Sequence, residues 1–185
     1  QKPEDLANIP IAVGLRAGSH FNVPWHLEKY MPLEQVKAVN VGGFGARLKA
    51  LMDGEFEAAS LLPPHLDMAE QLGCRKIVAG EFKTLWWVDE RHPPEILQAY
   101  FRGLQRAEEA IQENPSAHLH LWKYSNPPEF ENQAWDYSKF SRGERFVNSP
   151  IDRTEFDTLM EQVVRWGLDG DLQERDFDKL AYQVA

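Results

Sequence analysis

The chain predicts an α/β protein: a three-layer parallel-sheet lobe followed by a mostly helical C-terminal region. Three observations carry this reading. Short apolar runs, each followed by a glycine- or proline-bearing loop and an amphipathic stretch, recur three times before residue 75. After residue 90 the periodicity turns helical and a long aromatic loop interrupts it. Of the 185 residues 43% are hydrophobic, among them ten Phe, six Trp and five Tyr, enough to build a sizeable core. Parallel strands need right-handed crossovers, which place helices on both faces of the sheet.

The elements follow in order. Residues 1–10 are a polar lead-in ending at Pro10. Ile11 to Leu15 is an apolar run suited to a buried strand. Ser19 is an N-cap candidate for a helix from about 20 to 30, with Pro24 near its first turn, where proline is best tolerated. Val36 to Gly42 alternates and carries three valines, the pattern of a second strand. Leu48, Leu51 and Met52 lie at helical spacing over 45–53, and Gly54 stops that helix. Residues 57–62 read as strand three. A helix runs from Pro64 to Leu72 with Gly73 as its stop, and 75–80 (RKIVAG) reads as strand four.

Residues 84–88 (TLWWV) are an aromatic strand candidate. Pro93 and Pro94 open a long helix to about Glu113, stopped by Asn114-Pro115. Ser116 caps a helix through Tyr124. Residues 125–150 are irregular, with a short extended piece near 144–148. Asp152 or Thr154 starts a helix to Trp166, stopped by Gly167, and a last helix covers roughly 174–183.

Composition narrows the function classes. Twenty basic against 29 acidic residues leave a net charge of −9, a poor match for phosphate backbones, so no nucleic-acid partner is expected. No run reaches the ~18 apolar residues of a membrane span. No apolar signal core is present, so a secreted origin requires a mature or trimmed chain. A single cysteine, Cys74, excludes an internal disulfide and any multi-cysteine zinc site. Cys74 falls just before strand four, on the amino side of the sheet, away from the loops. That placement argues against a nucleophile.

In an open parallel sheet the strand-to-helix loops gather at the carboxyl ends of the strands, where ligands bind. Three loops meet there: Arg16-Ala17-Gly18-Ser19-His20, Gly42-Gly43-Phe44-Gly45 and Pro63-Pro64-His65. Gly18, Ser19 and the free amides of the helix they open form a natural anion site, and Ser19 serves equally as a plain N-cap. His20 either donates to an anion or is a surface histidine. Gly42 and Gly43 permit close backbone approach or serve only a tight turn. Phe44 lines the cleft or tucks under its helix. Leu62 ends strand three, Pro64 stiffens the next loop, and His65 is a ligand-wall or helix-start residue. Arg16 is a counter-ion or a solvated cation, and Arg47 is expected to face solvent. His118 and His120 point about 200° apart on a helix, so no metal site is expected. Trp86 and Trp87 read as sheet packing or a ring over the cleft. No G-x-S-x-G, G-x-x-x-x-G-K-[ST] or H-E-x-x-H occurs, and Ser19 beside His20 is no dyad by adjacency. No catalytic residue and no cofactor is expected.

Three stretches look like one family. DLANIPIAVGLRAGSHF, VNVGGFGARLKALMDGEFEAASLLPPHLDMAEQLG and ILQAYFRGLQRAEEAIQENP resemble type II periplasmic binding proteins of the nitrate/sulfonate/taurine and thiamine-precursor group. The second stretch is the most specific, and the resemblance covers roughly residues 5–115. It implies that 8–88 is the second lobe of the binding-protein fold. Residues 89–185 would then be the helical region that packs on a first lobe missing from this chain. It further implies a substrate-binding component of an ABC importer. The ligand would be a small anionic or nitrogen- or sulfur-containing organic solute, held by Gly18, Ser19, His20, Gly42, Gly43, Phe44, Leu62, Pro64 and His65. The implied partners are the solute, the transporter permease, and either an N-terminal lobe or a second copy that completes the cleft. The implied location is periplasmic or membrane-anchored extracytoplasmic. Two alternatives stay open. One is an enzyme on the same scaffold (desulfinase, decarboxylase or pyrimidine-precursor type, and then cytoplasmic) with His20 or His65 as acid/base. The other is a ligand-free interaction module.

Overall fold

A computed structural model describes residues 2–86, 88–89, 91–170 and 172–181. The chain is mixed α/β with a small three-stranded parallel sheet. It divides into two compact units. The first comprises 1–82 and 115–144, the second 83–114 and 145–185. The two units are interleaved in sequence, a later segment returning to the α/β unit.

In the first unit, β1 (Pro10–Val13) is followed by α1 (Gly18–Leu27), β2 (Lys37–Asn40), α2 (Phe44–Met52), β3 (Ala58–Ala59) and α3 (His65–Gln71). The sheet order is β2-β1-β3, with Ile11 paired to Ala38 on one side and Ala58 on the other. The central strand is therefore the apolar one: Ile11, Ala12 and Val13 are buried. Alternation turns Ile11 and Val13 to one face, where they pack with Val23 and Leu27 of α1 and with Met31. Leu48 of α2 and Met68 and Ala69 of α3 build a second core, closed by Trp135 and Phe140 from the returning segment.

That segment is clasped to α3. The Asp67 carboxylate accepts from the Ser141 amide at 3.0 Å and from its hydroxyl at 2.9 Å. The Gln71 side chain donates to the Asp136 carbonyl at 3.0 Å and accepts from the Asp136 amide at 3.1 Å, imitating a strand pair.

Several expectations are corrected. Residues 75–80 form no ladder among the described residues, although Val78 packs on the β1–α1 core. β-Branched residues favour an extended backbone, but a strand also needs an edge in register. Residues 84–86 and 144–148 likewise form no strand, and Trp87 lies outside the described residues. The helix expected over 116–124 is two short 3₁₀ pieces, Pro115–Ala117 and Leu119–Ser125. Its His and aromatic residues are weak helix formers, and short tight turns suffice. Pro24 sits inside α1 rather than in its first turn, so the His20 carbonyl lacks the amide that would normally bond to it.

The second unit holds α4 (Pro94–Glu113), α5 (Arg153–Arg165) and α6 (Phe177–Leu180). Asp152 caps α5 by accepting from the Glu155 amide at 2.8 Å, and Gly167 stops it, as the pattern requires. Tyr182 and Gln183, at the end of the last expected helix, lie outside the described residues. The buried Glu108 carboxylate accepts from Arg145 Nε at 3.2 Å and from the Phe146 amide at 3.3 Å. Trp86 packs edge-on against Tyr100 and Phe146 at 5.7 and 6.2 Å, with no strand beneath it.

Candidate functional site at the carboxyl edge of the sheet

The strand order decides where a site can form. β1 connects toward β2 on one side, and β3 lies on the other, so the chain reverses direction across β1 and β3. Ligands of open α/β sheets sit outside the carboxyl ends of strands at such a reversal. The loops after β1, β2 and β3 converge there.

The β1 loop is stitched to its own helix. Ser19 is 8% exposed; its hydroxyl accepts from the Gly14 amide at 2.9 Å and donates to the Gly14 carbonyl at 3.3 Å. It is not the N-cap. Ala17 holds that position with no side-chain bond, and α1 begins at Gly18. Gly18 is exposed on its outer face and lies against the Phe82 ring. His20 Nδ1 accepts from the Arg16 amide at 3.3 Å, which leaves Nε2 as the ring's donor. Burial lowers the His20 pKa, so the imidazole is neutral at neutral pH. Arg16 itself adopts a left-handed backbone, φ 58°, and is exposed.

The β2 loop turns on Gly42, whose φ of 101° suits glycine, and Gly43 is the N-cap of α2. Both are exposed. Phe44 opens the helix half-buried, neither wholly beneath it nor free of it.

The β3 loop carries a cis Pro63–Pro64 bond. Leu62 is half-buried and its carbonyl accepts from the Leu66 amide at 3.0 Å. Pro64 is buried and holds the N-cap position of α3, and His65 starts the helix. The His65 ring lies 5.5 Å from the Phe44 ring. Its Nδ1 is shut from solvent and has no hydrogen-bond partner among the described residues. Burial lowers the His65 pKa, and the nearby Arg47 lowers it further, while Glu129 works the other way.

Arg47, expected to face solvent, is instead buried. It is only 2% exposed. Nε donates to the Gly43 carbonyl at 3.3 Å and one terminal nitrogen, Nη1, donates to the Ser60 carbonyl at 2.7 Å. The guanidinium lies 4.1 Å from the centre of the Phe44 ring. It thus ties the β2 loop to the end of β3. Nη2 has no acceptor among the described residues, and no carboxylate pairs with the group. Nη2 stands 3.5 Å from where a Cβ at Gly14 would be, and the Gly42 carbonyl is 3.1 Å from that point. It lies at the seam between the first two loops. The clue was legible in sequence: Phe44, Arg47, Leu48 and Leu51 share one helical stripe.

A buried cation is costly unless it is paired, and two neutral carbonyls compensate it only in part. The seam therefore carries a net positive field. The free amides at the start of α2 add to it. The structure brings Gly42, Gly43, Phe44 and His65 together around Arg47. Ser19 and His20 belong to the same edge, with their hydroxyl and Nδ1 already engaged.

The remaining candidates lie elsewhere. Cys74 is half-buried beside the second core, and burial raises its thiol pKa, which disfavours the thiolate. His118 precedes the second 3₁₀ piece and His120 lies within it. Among the described residues no group of three or more His, Cys, Asp or Glu is arranged to hold a metal ion. Comparison of the chain with protein-family models, curated proteins and solved structures finds no match.

Proposed function

We propose that this chain binds a small anionic solute and serves as the substrate-binding component of an ABC importer. The solute class is the anionic or nitrogen- or sulfur-containing organic one implied by the sequence resemblance. The observation that carries the reading is Arg47, a buried guanidinium with an unpaired Nη2 at the convergence of three strand-to-helix loops. An anion above the seam would take the Gly43 amide and the α2 amides, with Arg47 acting from beneath; the Gly42 amide is already spent on the Val13 carbonyl. An opposing wall, from another lobe or another copy, would close over it by hinge motion in the type II binding-protein manner. No helix among the described residues is long and apolar enough to cross a membrane. The permease is the proposed membrane partner.

The test is a titration of the ¹⁵N-labelled protein with nitrate, sulfate and methanesulfonate, followed by amide shifts. Saturable shifts confined to residues 14–20, 42–47 and 62–65, weakened at least about tenfold in Arg47→Gln, are the expected result. Scattered, non-saturating shifts that Arg47→Gln leaves unchanged would sink the proposal. One observation favours a second reading, an enzyme on this scaffold: His65 is a neutral imidazole with an unpartnered Nδ1 at the edge. Turnover of a bound compound, abolished in His65→Ala with binding retained, would select it.

A further inference from the structure

The returning segment 115–144 brings one carboxylate onto this edge. Residues Pro128–Phe130 form a 3₁₀ turn packed on α2, and Pro127 beside it is buried. Phe130 anchors the turn, its ring 6.2 Å from that of Trp135. Glu129 thereby rests on the first turn of α2. A Cβ at Gly45 would lie 2.6 Å from Glu129 Oε2 and 2.8 Å from Pro127 Cβ, so this approach requires glycine at 45. The carboxylate lies beside Gly45, in the turn of α2 whose amides have no intrahelical acceptor. Yet it is exposed, and among the described residues no hydrogen bond or ion pair holds it down. It is positioned by its segment rather than by a bond of its own, and its charge acts on His65 and Lys49.

We propose that Glu129 is a resident occupant of the anion edge: its carboxylate lies over the first turn of α2 and must swing away before a solute anion binds there. The inference rests on the anion-binding reading above and adds a built-in competitor to it. A carboxylate at a helix start also stabilises the helix, so stability alone does not decide the matter. Affinity does. In an empty site Glu129 offsets the field of the helix start. An anion that arrives must displace it or suffer its repulsion.

The experiment uses the full chain and inorganic sulfate as probe, following the amide signals of Gly43, Phe44 and Gly45. Wild type is compared with Glu129→Gln, which removes the charge, and with Glu129→Ala, which removes the whole carboxylate. Both variants are expected to bind sulfate at least about threefold tighter, the factor given by removing one like charge some ångströms away in a water-like dielectric. Wild-type affinity in Glu129→Gln would overturn the proposal while leaving anion binding intact. Absence of sulfate binding in all three proteins would overturn the anion reading and this inference with it. Should Glu129→Gln fail to fold, Glu129→Ala decides alone, and unchanged affinity there is equally fatal.

Discussion

Asp67→Ala should destabilise the α/β unit by about 2–3 kcal/mol. Asp67 is buried at the start of α3, and its two oxygens accept from the amide and the hydroxyl of Ser141. Hydrogen bonds to a charged group contribute about 1.5–3 kcal/mol each. Ser141 is exposed, so its freed donors rehydrate, which holds the two bonds together to about 1.5–2 kcal/mol. Loss of a carboxylate from the first turn of α3 adds about 0.3–1 kcal/mol. For a unit of this size the sum lowers Tm by about 8–12 °C. Urea denaturation followed by tryptophan fluorescence is a suitable assay, because Trp122 donates to the Ser141 carbonyl at 3.0 Å and Trp135 lies in the adjoining core. Asp67→Asn serves as internal control. It retains an oxygen for the Ser141 amide, and the hydroxyl can turn to accept from the new amide, so the loss should fall to about 1 kcal/mol. A loss below about 0.5 kcal/mol in Asp67→Ala, or equal losses in the two variants, would refute the idea that this carboxylate holds the segment down.

Other expectations follow from the same geometry. Leu48→Ala, at a fully buried position beneath the returning segment, should cost about 2–5 kcal/mol by urea titration, with the upper half expected if the cavity does not collapse. Stability should fall as pH drops from 7 towards 5. His20, His26 and His65 all have folded-state pKa values lowered, chiefly by burial, so in that window the unfolded chain binds more protons than the folded one. His65→Gln should flatten part of that slope, and a slope that stays unchanged in His20→Gln, His26→Gln and His65→Gln would contradict the assignment. In the second unit, Glu108→Ala should cost about 2 kcal/mol and Arg145→Ala nearer 1, because Glu108 keeps the Phe146 amide and Gln112 Nε2 when the arginine goes. The reverse order in thermal melts would show that the arginine, not the carboxylate, organises that contact.

Local chemistry made much of the α/β unit readable. The valine-rich run at 36–42, the glycines at 54 and 73 and the prolines at 93 and 94 punctuate the chain where strands and helices begin and end. What depended on distant partners was not readable. Nothing in RKIVAG reveals whether an edge will lie beside it. Nothing in Ser19 reveals that its hydroxyl turns back to Gly14 instead of capping α1. Arg47 was misread for a different reason. Charge argued for solvent while helical position argued for the interior, and position prevailed because Gly43, Ser60 and Phe44 offered the guanidinium acceptors and a ring. Glu129 could not be placed at all from local pattern, since 76 residues of chain separate it from the end of the helix it covers.

The interleaving of the two units constrains the order in which this protein can mature. On a ribosome the sheet and its three helices emerge first, and the chain then spends residues 83–114 on the other unit before the segment bearing Trp135, Phe140 and Ser141 appears. Throughout that interval Leu48, Met68 and Ala69 lack their aromatic cover. A nascent chain of this length therefore presents an apolar face that only later synthesis can close, the situation in which chaperone capture and misassembly compete with folding. Release from that hazard comes in a single step, when residues 135–141 arrive and the clasp on α3 shuts.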